Sequence, residues 1–265
     1  MPARDLTLLQ DAAREAGDIA LRYWRQDPQA WDKGGGAGPV SEADLAVNAH
    51  LETVFRAARP DYGWLSEESP DEPSRLDAAH CFIIDPIDGT RSFLDGQEGF
   101  SISLAIATGE RITAAVVHLP ARGLTYTAVA DGPALLNGAA IAPADHPMQN
   151  ATVLAGKPSF DPAFWRNGVP GLRREFRPSL AWRLCLVAEG RFNAALSTRA
   201  AWEWDIAAGS LIAERAGCVA TELSGRPLRF NRAKPLSDGM VVAAPGLHGQ
   251  LIAALRPLPS TGFPG

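Results

Sequence analysis

An apolar run, Cys81-Phe-Ile-Ile84, leads directly into Asp85-Pro86-Ile87-Asp88-Gly89-Thr90, and this junction leaves the local backbone few options. The run is short, contains aromatic and β-branched residues and stops at Asp-Pro, which predicts a strand ending at Asp85. Pro86 presets φ and removes a donor, and Gly89 permits close backbone approach, so the chain can turn Asp85 and Asp88 toward a common point. Two carboxylates held together repel each other unless a proton or a cation sits between them. Oxygen ligands with no His or Cys nearby favour Mg²⁺ or Mn²⁺ over zinc. Asp-Pro and Asp-Gly are also common turn dipeptides, so taken alone the segment reads equally well as a plain turn.

Around it the chain alternates helical and extended texture. Leu6, Leu9, Ala13, Ala16, Ala20 and Tyr23 recur at steps of three and four and predict an amphipathic helix over 3–26. Lys33-Gly-Gly-Gly-Ala-Gly-Pro39 cannot sustain a helix or a central strand, and a mobile loop is expected there. Ser41 opens a second helix, with Val47, Leu51, Val54 and Ala58 on one face and its end before Pro60. The charged stretch Ser66 to Pro73 interrupts regular structure. Ser101 to Ala107, Ile112 to His118 and Leu124 to Ala130 read as strands, joined by turn signals and followed by Asn137-Gly138, which predicts an antiparallel meander. Beyond about residue 150, short apolar runs such as Thr152 to Ala155 alternate with helical windows. The expected organisation is an N-terminal α+β lobe, 1–148, and a C-terminal α/β lobe, 149–265, sharing an interface because no long linker separates them.

Composition narrows the function. With 46% hydrophobic and 21% charged residues the chain is globular. Cys81, Cys185 and Cys218 are odd in number and lack CxxC spacing, so neither a disulfide framework nor a zinc ribbon is expected, and a reducing, cytoplasmic setting is. Met1 to Gly17 carries charges through its apolar positions, unlike a signal peptide or a spanning helix, so no membrane partner is expected. A net charge of -5 provides no cationic field for a nucleic-acid polymer.

Further acids stand far from the junction. Glu67 and Glu68 lie in a Ser-Glu-Glu-Ser loop, and Asp205 sits in the first turn of a helix that starts at Trp204-Asp-Ile-Ala-Ala-Gly209 and ends near Gly217. Asp205 serves equally as a helix cap or dipole partner. Ser41-Glu-Ala-Asp44 is likewise a capping-box pattern. The histidines, His50, His80, His118, His146 and His248, are scattered and are assigned no chemistry.

Taken in order, the Glu67-Glu68 loop, the Asp85-Pro-Ile-Asp-Gly-Thr90 hexapeptide and Trp204-Asp-Ile-Ala-Ala-Gly209 resemble the inositol monophosphatase superfamily of Mg²⁺-dependent, lithium-sensitive phosphatases. The likeness extends to Lys33, Ser41 to Asp44, Asn137-Gly138, Cys185 to Gly190 and Glu214 to Gly217. It implies a layered αβαβα sandwich of the sugar phosphatase type, an active site between the lobes and a homodimer. It implies that Glu67, Asp85 and the carbonyl of Ile87 hold one Mg²⁺, that Asp85, Asp88 and Asp205 hold a second, and that a looser third ion leans on Glu67. Mn²⁺ is the expected substitute. Two such ions ~4 Å apart would clamp the attacking and departing oxygens of a phosphoryl displacement. By the same resemblance Gly89 and Thr90 offer backbone N–H groups to phosphate, while the Thr90 hydroxyl and Asp44 orient and deprotonate the attacking water. Lys33 either reaches this site or is a solvated surface lysine, and Glu68 supports the site or faces solvent.

The implied substrate is a small phosphorylated metabolite. Inositol-specific members carry a glutamate seven positions before the distant aspartate, where it hydrogen-bonds substrate hydroxyls; this chain has Thr198 there, an expected substrate contact that can donate or accept but lacks charge and reach. Arg91 directly follows Thr90 and either binds a second phosphate or carboxylate or forms a rim salt bridge to Asp95 or Glu98. Arg183, Arg191 and Arg199 add basic character to the C-terminal lobe. The expected activity is therefore that of a 3′(2′),5′-bisphosphate nucleotidase first, then a broad inositol or sugar monophosphatase, then a histidinol phosphatase. A non-catalytic phosphometabolite-binding protein or an acidic scaffold is the reading from another class. Neither requires that Glu67, Asp85, Asp88 and Asp205 all be present, and all four are.

Overall fold

The computed structural model describes residues 2–35 and 38–256. Helix α1 (Pro2–Tyr23) is followed by a short antiparallel hairpin, β1 (Ala30–Asp32) and β2 (Pro39–Ser41), and then by α2 (Glu42–Ala58). The described ends of the glycine-rich stretch expected as a mobile loop close a hairpin, with the Lys33 N–H on the Gly38 carbonyl at 3.0 Å; 36 and 37 lie outside the described residues. Ser41 caps α2 through a complete capping box with Asp44.

Seven strands form the first sheet in chain order: β3 (Gly63–Ser66), β4 (His80–Asp88), β5 (Ser101–Thr108), β6 (Arg111–Leu119), β7 (Leu124–Val129), β8 (Leu135–Leu136) and β9 (Ala139–Ala140). The expected meander is present from β4 onward, and β3 joins it in parallel. Asn137 (φ 48°) and Gly138 (φ 84°) make the left-handed turn between β8 and β9. One expectation is corrected: the strand does not stop at Asp85. β4 runs on to Asp88, opposite Ser101, through a register shift between Asp85 and Asp88. The irregularity accommodates Pro86, which has no N–H for a regular ladder.

Both faces of this sheet are covered, which is why its central strands read as nearly unbroken apolar runs. Phe82, Ile84, Leu104, Ile106 and Val116 pack against α1 and α2 through Leu9, Ala13, Ala16, Val47, Leu51 and Phe55. The alternate residues Cys81, Ile83, Ala105, Ala115 and Val117 face α4 (Leu180–Ala188) and α5 (Glu203–Ala216), the period-two pattern of a pleated strand. The short helix α3 (Thr90–Leu94) follows β4 directly.

On their far side α4 and α5 meet a second sheet, ordered β11 (Arg173–Glu175), β10 (Thr152–Ala155), β12 (Ala194–Ser197), β16 (Met240–Ala243) and β14 (Val219–Thr221). A two-stranded ribbon, β13 (Ala201–Trp202) with β15 (Leu236–Ser237), leads into α5. Helix α6 (Pro245–Ala254) closes the outer face through Leu247 and Leu251. The layers are therefore helices, sheet, helices, sheet and helix, the αβαβα sandwich. Gly209 sets the spacing of the middle layer, because a Cβ there would lie 2.8 Å from the Leu184 Cβ and 2.9 Å from the Ala181 carbonyl.

Candidate active site

The end of β4, the loop after β3 and the first turns of α3 and α5 line one cavity of about 490 Å³, and the first turns of α2 and α4 are hydrogen-bonded to its lining through Asp44 on Thr90 and the Ala181 N–H on Asp88. Carboxylate oxygens of Glu67, Asp85 and Asp205 lie within 4.8 Å of one another along it. Asp85 uses Oδ1 to accept the Ile87 N–H at 3.0 Å, an Asx turn that directs the strand end. Burial, followed by the charges of Glu67, Asp88 and Asp205, pushes the Asp85 carboxyl well above the usual carboxylate range. Asp205 is raised likewise by burial and then by Asp88 and Glu67.

Glu67 is positioned from two sides. Its N–H continues the β3–β4 ladder onto the Ile84 carbonyl at 3.1 Å. The preceding Ser66 donates to Asn48 Oδ1 at 2.7 Å, and Asn48 Nδ2 and Trp64 Nε1 both donate to Ser69 Oγ at 3.0 Å, which pins the loop to α2. Lys33 reaches in from the hairpin, its Nζ 2.7 Å from Glu67 Oε1 and 2.6 Å from Glu68 Oε1. Of the two readings of Lys33, the solvated one is therefore excluded. Glu68 does not face solvent either. Its side chain is 5% exposed, and burial raises its carboxyl to about 7 against the opposing effect of Lys33.

Asp44 combines the capping role with a second contact. Its Oδ2 accepts the Ser41 N–H at 2.8 Å and the Ser41 hydroxyl at 2.6 Å, while Oδ1 faces Thr90 Oγ1 at 3.3 Å. Thr90 Oγ1 also lies 3.1 Å from the Ile87 carbonyl. Burial raises the Asp44 carboxyl to about 6, with its Ser41 hydrogen bonds opposing. Gly89 (φ 98°) caps α3, and a Cβ at this position would stand 3.2 Å from the Gly99 carbonyl. The first N–H groups of α3 have no intrahelical acceptor and border the cavity.

Asp88 is not one of the three acids whose oxygens lie within 4.8 Å of one another, although its charge acts on both Asp85 and Asp205. Its Oδ2 accepts the Ser179 hydroxyl at 2.6 Å and the Ala181 N–H at 2.7 Å, so it also anchors the N-terminus of α4. Its carboxyl is raised by burial, opposed by Ser179, by the backbone of Ala181 and Leu180 and by the Arg183 charge. Arg91 is exposed, lines the cavity and makes no salt bridge among the described residues; of its two readings the rim pair to Asp95 or Glu98 is absent, and Glu98 pairs with Arg122. Thr198 needs correcting as a substrate contact. It is fully buried, its hydroxyl donates to Ser159 Oγ at 3.2 Å, and it does not line the cavity. Arg183 turns inward too, donating to the carbonyls of Arg177 and Pro178 beneath the Phe176 ring. Ser103, Ser179 and Phe176 were missed by sequence reasoning. Ser103 Oγ donates to the Trp204 carbonyl at 3.1 Å beside Asp205, and its only signal was the Ser-x-Ser alternation in an otherwise apolar strand.

Three carboxylates converging on one point, with Lys33 the one cation paired to any of them among the described residues, form an oxygen-only donor set suited to a hard divalent cation. The residues therefore fit a metal centre held by Glu67, Asp85 and Asp205, and Ile87 and Asp88 line the same cavity.

The five layers and this acidic cavity define a metal-dependent phosphatase of the sugar phosphatase architecture. The chain belongs to the inositol monophosphatase family, whose model matches residues 3–260, and it is accordingly a phosphoric monoester hydrolase. It is 34% identical to an inositol-1-monophosphatase of Rhizobium meliloti over 247 residues, covering 85% of this chain and 86% of that protein. It is 30% identical to a 3′-phosphoadenosine 5′-phosphate phosphatase of Mycobacterium leprae, covering 95% and 93%. The solved structure of a Thermotoga maritima IMPase superposes with a TM-score of 0.80 at 26% identity and 96% coverage of both chains. Relatives named histidinol-phosphatase, from Chlorobaculum parvum, and Nus factor SuhB, from Haemophilus influenzae, are each 30% identical. The expected absence of a nucleic-acid partner rests on net charge alone and gains nothing from the latter name. Among the described residues no helix is long and apolar enough to cross a membrane.

Proposed function

We propose that this protein is a Mg²⁺-dependent phosphomonoesterase that prefers a small metabolite bearing a second anionic group, of the adenosine 3′,5′-bisphosphate type, ahead of inositol monophosphate. The observation that carries the reading is the convergence of Glu67, Asp85 and Asp205 beside the Asp44–Thr90 pair. When bound, Mg²⁺ would supply charge neutralisation for the transferred phosphoryl group and acidify water at the site. Glu67, Asp85 and Asp205 would hold it, with the Ile87 carbonyl and Asp88 completing two positions, and Mn²⁺ would substitute.

The remaining work falls to the chain itself. The N–H groups at Gly89 and Thr90 receive the phosphate oxygens without a lysine. Thr90 Oγ1 and Asp44 Oδ1 orient the attacking water, and Asp44 accepts its proton, an anionic acceptor already aligned by Ser41. Arg91, exposed on the cavity and free of an acidic partner among the described residues, supports binding of a second phosphate or carboxylate. The burial of Thr198 argues against hydroxyl recognition of the inositol-specific kind at that position. Three buried free cysteines suit a reducing compartment, and lithium inhibition is expected.

The test is a comparison of kcat/KM at fixed Mg²⁺ for adenosine 3′,5′-bisphosphate, inositol-1-phosphate, histidinol phosphate and fructose 1,6-bisphosphate. The bisphosphate nucleotide should lead, and Arg91→Ala should reduce its kcat/KM more than that of inositol-1-phosphate. A lead for histidinol phosphate would move the assignment toward the relative of that name. No turnover of any phosphate ester with Mg²⁺ or Mn²⁺ would overturn the proposal.

A further inference from the structure

Glu203 stands two residues before Asp205, in the first turn of α5, and it is completely buried. A glutamate with no access to water needs partners for both oxygens. Oε2 accepts the Asn231 N–H at 2.6 Å and Oε1 accepts the Arg232 N–H at 3.2 Å, so one carboxylate fastens two consecutive backbone groups of a distant loop to the turn that carries Asp205. The Glu203 N–H in turn donates to the Pro235 carbonyl at 3.0 Å, and Arg232 donates to the Leu236 carbonyl in the ribbon that precedes α5.

The same loop is gripped from the other side by Arg75, whose side chain is 1% exposed. Arg75 Nη1 donates to Asn231 Oδ1 at 2.7 Å and Nη2 to the Arg232 carbonyl at 2.8 Å. Its remaining donors form a bidentate pair with Asp71, at 2.6 and 2.9 Å, four residues after Glu67. Arg75 also packs on the strand that delivers Glu67, since a Cβ on Gly63 would lie 2.8 Å from the Arg75 Cβ. A series of charge-assisted hydrogen bonds thus runs from Asp71 through Arg75 and the Asn231–Arg232 segment to Glu203, and the chain itself joins its two ends to Glu67, four residues before Asp71, and to Asp205, two residues after Glu203.

We infer that Arg75 and Glu203 are positioning residues that set the separation of Glu67 and Asp205, and with it the affinity of the site for a divalent cation. Without such a tie, two carboxylates carried by different layers would relax apart under mutual repulsion, and the metal would have to restore their approach at each binding event. Neither side chain lines the cavity, so neither touches substrate. The inference rests on Glu67 and Asp205 being metal ligands, as proposed above.

Two variants test it. Glu203→Gln sets an amide NH₂ against one of the two loop N–H groups. Asn231→Gly removes only the Arg75 acceptor while suiting the left-handed backbone there (φ 55°), so it should fold as the wild type does. Titration calorimetry with Mg²⁺ should give a Kd raised by roughly threefold for Asn231→Gly and tenfold or more for Glu203→Gln. The Mg²⁺ concentration for half-maximal activity should rise in parallel, with substrate KM at saturating Mg²⁺ unchanged and Arg75→Lys intermediate. A Kd for Asn231→Gly within error of a measurable wild-type value overturns the inference, as does lowered stability of both variants with unaltered Mg²⁺ affinity. Failure of the wild type to bind Mg²⁺ or Mn²⁺ removes the proposed function and this inference together.

Discussion

Thr90 Oγ1 stands 3.3 Å from Asp44 Oδ1, while the other Asp44 oxygen is held by both the N–H and the hydroxyl of Ser41. The capping box thereby fixes the carboxylate that faces the cavity threonine, and a local helix signal doubles as alignment of a proton acceptor. Asp44→Asn keeps an oxygen for Ser41 but removes the basic site, so kcat should fall by about 10²- to 10³-fold. Thermal stability and Mg²⁺ affinity should stay near wild type. Thr90→Ser should retain most activity and Thr90→Val should not. An Asp44→Asn enzyme with nearly normal kcat would remove Asp44 from the mechanism.

Asp88, at the end of β4, ties the start of α4 to the cavity through Ser179, which caps α4 on the Trp182 N–H and also meets Ser101 Oγ at 2.9 Å. Ser179→Ala removes the cap and a partner of a buried carboxylate, and should cost about 1–2 kcal/mol in chemical denaturation. Asp88→Asn keeps an oxygen for the Ala181 N–H and should stay folded while losing most turnover. Asp88→Ala should lose both. Equal denaturation midpoints for wild type and Ser179→Ala would show that the cap is replaceable.

Much of this was legible in the chain because local chemistry and tertiary position coincide. The Ser41 cap, the Asn137-Gly138 reversal and the Trp204 to Gly209 helix start all carry signals within a few residues. The strand limit at Asp85 was misread because Pro86 ordinarily ends a ladder, and only pairing with Ser101 across a bulge carries β4 on to Asp88. β3 was missed because four residues beside a charged loop have no periodicity to read, although burial covers three of them. Thr198 was assigned by spacing alone, and spacing cannot report that a side chain turns inward to Ser159. Arg75 and Glu203 left no trace, since their partners lie 157 and 29 residues away at Arg232.

Gly209 lies where α5 crosses α4, and a methyl group there would meet Leu184 Cβ at 2.8 Å and the Ala181 carbonyl at 2.9 Å. Backbone and Cβ atoms cannot swing aside as the tip of a flexible side chain can. Gly209→Ala therefore gains helix propensity but forces the helices apart, for a net loss of about 1–3 kcal/mol. Because α4 begins at the Asp88 contact, Mg²⁺-dependent turnover should fall as well. A variant as stable as the wild type would mean that the two helices can slide without cost.

Two buried histidines give stability a pH dependence whose sign is fixed by their surroundings. His118 bonds Thr125 Oγ1 at 2.9 Å and packs against Gly17 of α1, and burial lowers its pKa, opposed by a hydrogen bond to the Leu124 backbone and by Asp18, with Arg14 assisting. His248 bonds Thr221 Oγ1 at 2.9 Å, and burial lowers it also. A histidine whose folded pKa lies below its unfolded value of about 6.5 is protonated preferentially in the unfolded chain. The stability these residues permit is full above about pH 6.5 and declines as pH falls below it, by at most about 1.4 kcal/mol per pH unit for each. Urea unfolding of wild type and of His118→Gln/His248→Gln, both in saturating Mg²⁺ so that the acidic cavity contributes equally, isolates the effect. Between pH 7.5 and 5.5 the wild type should lose more stability than the double variant. Parallel losses would mean that both rings are protonated in the folded protein as readily as in the unfolded chain.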